Sequence, residues 1–206
     1  MKSKLFLTLL CLLFCVNHFS YADSPLTSTE ISKAYQEPII VLAKKCNGDI
    51  NNEIILNFLS NKKNDVELKI AVINKLGWNI SGKRNNEIFF KHLQKTHRYK
   101  DFNHFLNKAD PETLICYAYI KAMDNYFNVD QAIVIAQIAK KRSHKSFCIH
   151  LICALIEAQK ALDSDWCKVY TIVNDVRIND SLKKDLKNEA INIIFNYIDL
   201  YKKECD

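Results

Sequence analysis

Three glycines and three prolines are all the turn punctuation in 206 residues. A sheet protein with many tight reversals needs far more. Helix-start signals, by contrast, recur along the whole chain. Thr27 with Glu30 three residues on forms a capping box. Pro38 kinks that first helix or opens a new one as its first residue, and the CNG stretch at 46–48 is a stop. Asp49 begins a short helix with Ile50, Ile54 and Phe58 on one side. Asn64 or Asp65 caps VELKIAVINKLG, which ends at Gly77, and Ser81 opens SGKRNNEIFFKHLQ. Asp110 caps a helix whose first residue is Pro111. Asn128 with Gln131 is a second box, and Ser143, Asp163 or Asp165, and Ser181 begin three more helices.

The expected fold is therefore all-α, with roughly nine or ten helices joined by short polar turns. Short links make consecutive helices antiparallel neighbours. Two architectures satisfy this: stacked antiparallel helical hairpins, α-solenoid-like in the TPR/HEAT manner, or an irregular helical bundle. Helix starts recur in pairs at about 30–40 residues, but no residue signature recurs with them. Residues 97–109, polar and aromatic, read as an exposed irregular loop.

The amino-terminal stretch MKSKLFLTLLCLLFCVNHFSYADS sets the compartment. Lys2 and Lys4 precede a short apolar run, and Ser20 and Ala22 occupy small-residue positions before a cleavage point. Residues 1–22 are expected to be a cleaved signal peptide, because the apolar run is too short to span a bilayer comfortably. Residues 23–206 are then a single all-helical domain, secreted or, in a two-membrane bacterial envelope, periplasmic. Loss of Lys2 and Lys4 lowers the formal net charge of +6 by two, a mildly basic balance that does not call for nucleic acid.

Cys11 and Cys15 leave with the leader. Cys46, Cys116, Cys148, Cys153, Cys167 and Cys205 remain, an even number that suits disulfides in an exported chain. In the segment KSFCIHLIC a helix turns 100° per residue. Cys148 then falls inside the apolar stripe of Phe147, Leu151 and Leu155, and Cys153 about 140° away beside Lys160 and Glu157. The two cannot bond each other or share a metal. Cys116 falls on an apolar side and Cys167 beside Thr171 and Asn174. Cys116 and Cys148 are expected to be buried, as a bond or as two inert thiols. The other four are expected near the surface or at helix edges, with Cys205 pinning the tail to Cys153 or Cys167.

No motif for a nucleophile, phosphate loop, zinc protease or haem attachment occurs. The histidines of KHLQKTHRYKDFNHF lack metal-ligand spacing. No cofactor, metal, nucleic acid or lasting membrane anchor is expected. What remains is a set of turns carrying residue types common at interfaces: Trp78, Lys83 and Arg84 at 78–85, Tyr126 and Phe127 at 124–130, and Lys140, Lys141 and Arg142 at 140–145. The expected function is non-enzymatic binding of a protein partner. In its general features, export, size and lack of catalytic motifs, the chain resembles immunity proteins that neutralise a toxin delivered to the periplasm. The alternatives are a secreted hydrolase with an active site assembled from distant residues, and a structural envelope scaffold.

Overall fold

The structure is a computed structural model and describes residues 24–78 and 83–206. The expected leader at 1–22, the helix start at Ser81 and Gly82 lie outside the described residues. Among these, ten α-helices account for the architecture: α1 (Pro38–Lys45), α2 (Glu53–Ser60), α3 (Val66–Leu76), α4 (Asn85–His97), α5 (Phe102–Lys108), α6 (Pro111–Asp124), α7 (Asp130–Arg142), α8 (Phe147–Ala161), α9 (Trp166–Arg177) and α10 (Asn188–Ile198). Short 3-10 segments cover Ile31–Ala34 and Asp199–Cys205. The all-α expectation holds.

Three of the expected helix-end signals are in place. Asp110 accepts from Thr113 N at 2.9 Å with Pro111 opening α6, Asp165 caps α9 through Lys168 N, and Gly77 ends α3 at φ 80°, where a side chain would be strained. Other starts move. Thr27 caps no α-helix, because its hydroxyl is held by Ser24 Oγ at 2.9 Å, and only the 3-10 turn at Ile31–Ala34 follows. The short helix starts at Glu53 behind an Asn52 cap rather than at Asp49. Its buried face is Ile55, Leu56 and Leu59, and Ile54 points outward. Asn128 gives no cap to α7, whose preceding residue is Val129. Ser146, not Ser143, caps α8 through Ile149 N, and the helix placed at Ser181 begins at Asn188. Residues 97–109 are no irregular loop. Asp101 caps α5 through His104 N at 2.7 Å, and Phe105 is fully buried among Phe90, Tyr99, Phe102 and Tyr117. Edge-to-face aromatic packing of this kind outweighs the polar character of the segment.

Helices α6 to α9 pack each against the next, as in a hairpin stack. The ends, however, close on each other, since α10 packs against the 3-10 turn at Ile31–Ala34. Lys187, just before α10, donates its N–H to Glu67 on α3 at 2.8 Å and its ammonium to Glu37 at 3.1 Å. Asn74 on α3 ties the same amino-terminal turn to the centre. It accepts from Ser32 N and donates to Thr29 O and the Tyr119 hydroxyl. A half-buried amide with both ends bonded in this way fixes one packing among several apolar alternatives.

Helix α8 lies at the middle, packed against α3, α6, α7 and α9, and is buried on almost every side. Cys153, placed at the polar edge by the helical wheel, is therefore fully buried; the wheel assumes one partner face, and α8 has several. Its thiol lies 3.8 Å from Glu157 Oε1.

Candidate functional site

Two of the predicted turns meet at one edge of the molecule. Helix α3 stops at Gly77, which releases Trp78. Helix α6 ends at Asp124, and the following turn carries Tyr126 and Phe127. Trp78 stands edge-on to Tyr126 with ring centroids 5.5 Å apart. Tyr126 and Phe127 are tilted at 4.3 Å. Tyr126 is buried, at 6% exposure, which the sequence did not indicate. Burial follows from Trp78 and Phe127 flanking its ring. Trp78 and Phe127 remain 44% and 68% exposed. A pair of large exposed rings seated on a buried third is apolar surface left in water by a rigid frame.

Lys83 and Arg84 lie just before α4. The Lys83 ammonium donates to Asn47 O, and Arg84, in the left-handed region at φ 54°, pairs with Glu87 at 3.7 Å. Behind them Asp124 caps α4 from a neighbouring helix, its Oδ2 accepting from Asn86 N at 2.7 Å. A groove of about 410 Å³ runs beside this cap, with Asn86, Lys121, Asn125, Asn128 and Gln131 in its walls. Sequence reasoning missed Asp124 and the groove, because the capped helix begins 38 residues away.

Burial pushes the Asp124 carboxyl up to about 6, only partly offset by the Asn86 and Asn85 N–H groups and Lys121. A carboxyl raised in the folded state binds its proton more tightly there than in the unfolded chain. Its stabilising contribution is full below the ordinary carboxylate range and is lost as pH rises through about 6. Asp124→Asn keeps an acceptor for the Asn86 N–H and removes the ionisation. Thermal melts at pH 7.5 should place the variant a few degrees above wild type, with the gap closing by pH 4.5. An equal gap at both pH values would exclude this role for Asp124.

The third predicted cluster lies at the opposite end of α7. Lys140, Lys141 and Arg142 form its last turn, so the structure does not bring them to Trp78 and Phe127. Arg142 Nη1 donates to Ala109 O at 2.9 Å. The histidines are engaged singly: His92 with Ser60 Oγ, His97 with Ser60 O, His104 with Lys100 N and His150 with Ser143 O. Among the described residues no group of three or more His, Cys, Asp or Glu side chains could hold a metal ion. Likewise no described helix is long and apolar enough to cross a membrane.

Of the two pairings expected for Cys205, the structure has Cys167–Cys205, joining α9 to the last 3-10 segment. Cys46, Cys116, Cys148 and Cys153 are free, so Cys116 and Cys148 are buried thiols and not a bond. Burial pushes the Cys116 and Cys153 thiols up to about 12 and Cys148 well above its ordinary value. Thiols held protonated in this way are poor nucleophiles.

Compared with protein-family models, with curated proteins and with solved structures, the chain matches none.

Proposed function

We propose that this is an exported, periplasmic helical protein that works by binding a protein partner, in the manner of an immunity protein that neutralises a periplasm-acting toxin. The observation that carries this reading is the Trp78–Tyr126–Phe127 edge. Exposed aromatic side chains on a fixed support lose little conformational freedom on binding, and they contribute a large share of affinity at interface centres. Lys83 and Arg84 supply a polar, charged rim. Asp124, by holding the start of α4, keeps that rim in place.

The test uses the protein encoded next to this chain as bait. The residue 23–206 chain should co-purify with that toxin and protect cells that direct it to the periplasm. Trp78→Ser and Phe127→Ser should each weaken the complex about 30-fold, the effect of removing an interface anchor. Both side chains are substantially exposed, so the variants should keep the wild-type circular dichroism. No complex with any neighbouring product, or a complex indifferent to both substitutions, would sink the proposal.

A further inference from the structure

At the far end of α7 a groove of about 670 Å³ separates α5 from α7. Its floor is aliphatic, from Leu106 and Ile138, and its α5 wall is Asn103 and Asn107. Lys141 and Arg142 stand on the α7 side, with His144 beyond them. No carboxylate lines it.

The basic residues extend past the groove, with Asp185, which accepts from Cys148 N at 2.7 Å, the carboxylate nearby. Lys183 donates its N–H to Lys145 O at 2.7 Å, which brings Lys183 and Lys184 alongside Lys145. Among the described residues Lys140, Lys141, Arg142, Lys145, Lys183 and Lys184 form no ion pair. The carbonyl end of α7 accounts for cations in its last turn. It does not account for Lys145, Lys183 and Lys184, which lie beyond the helix. Arg142 is already oriented by its bond to Ala109 O, and its Nε–Nη2 edge is left to grip a carboxylate through two parallel bonds.

We infer that this groove is a second docking surface, for an acidic segment of a partner protein that carries an aliphatic anchor. The aliphatic floor takes the anchor, and Lys141 and Arg142 on the α7 side take carboxylates along one edge of the segment, the arrangement of a helix laid in a groove. No Phe, Tyr or Trp ring lines the groove, so it lacks the large stacking platform that single-stranded nucleic acid uses. Its apolar residues are recessed, whereas insertion into a lipid surface needs them to protrude. The inference rests on the protein-binding reading above and adds the chemistry of the partner.

The probe is a fluorescein-labelled amphipathic peptide with leucines on one face and glutamates along one edge of it, titrated with the residue 23–206 chain. Anisotropy should report binding that weakens several-fold as ionic strength rises, because exposed charges are screened. Glutamine for glutamate should abolish it, and serine for leucine should weaken it strongly. The double substitution Lys141→Glu with Lys145→Glu should weaken it about tenfold or more; both side chains are exposed and neither makes a bond the fold needs. Three results would overturn the inference: no peptide binding, binding unaffected by charge reversal, or equal binding of an oligouridylate or of phosphatidylserine vesicles. Trp78→Ser should bind the peptide as wild type does. Peptide binding lost with toxin capture intact removes only the groove, and the reverse removes only the aromatic edge.

Discussion

A chain carrying Cys205→Ser is expected to lose roughly 4 kcal/mol of stability against the oxidised wild type. The Cys167–Cys205 bond closes a loop of sequence separation 38, and a cross-link removes about that much chain entropy from the unfolded ensemble. Cys167→Ser, Cys205→Ser and the double variant should unfold at the same urea concentration, which reduced wild type should match. The wider contacts around the bond, Arg177 gripping Asp199 through two bonds and Trp166 edge-on to Tyr201, hold the tail in place without it, so the variants should stay folded. Thiol titration gives an independent reading. The oxidised protein should show four thiols after unfolding and one rapidly reacting thiol when native. That one is Cys46, the partly exposed member of the free set. Six thiols in protein exported through an oxidising compartment would exclude the bond.

The second large effect lies at Lys69. Its side chain is 1% exposed, and among the described residues its ammonium pairs with one carboxylate, Glu112 Oε2 at 3.2 Å. Glu112 is itself partly solvated, so the pair is anchored at one end in the interior and at the other in water. Glu112→Gln should cost about 2–3 kcal/mol, because it strands a buried ammonium without a compensating charge. Lys69→Met should be close to neutral or stabilising, since it removes the desolvation of the charge together with the pair. In the Lys69→Met background, Glu112→Gln should then have almost no effect. Urea denaturation of the four proteins closes that cycle, and an equal cost of Glu112→Gln in both backgrounds would show that Lys69 and Glu112 do not depend on each other.

Local chemistry was legible in the residues. Asp110 with Pro111, Asp165 before α9 and Gly77 after α3 act on backbone groups within one turn, so a short window contains both partners of each bond. The same window misleads where a polar side chain has a competitor outside it, as Ser24 takes the Thr27 hydroxyl. It also misleads where aromatic packing sets the structure. Asp101 is the one start signal between Arg98 and Lys108, and the loop expectation overlooks it; Phe90 and Tyr117 on neighbouring helices surround Phe105. The candidate contact turns were found by residue type alone. Their division into an aromatic edge and a basic groove at opposite ends of α7 was not legible, nor was the burial of Tyr126.

By itself, then, the sequence determined an all-helical chain, the starts of α1, α3, α6 and α9, two buried cysteines and the choice of Cys153 or Cys167 for Cys205. Only the tertiary structure decided between those two, by packing α9 against the last 3-10 segment while enclosing α8 on several sides. The physical reason is range. Capping and periodicity are properties of neighbours along the chain, whereas burial of Cys153, the cap that Asp124 gives to α4 and the pairing of Lys69 with Glu112 depend on which distant helices come to lie together.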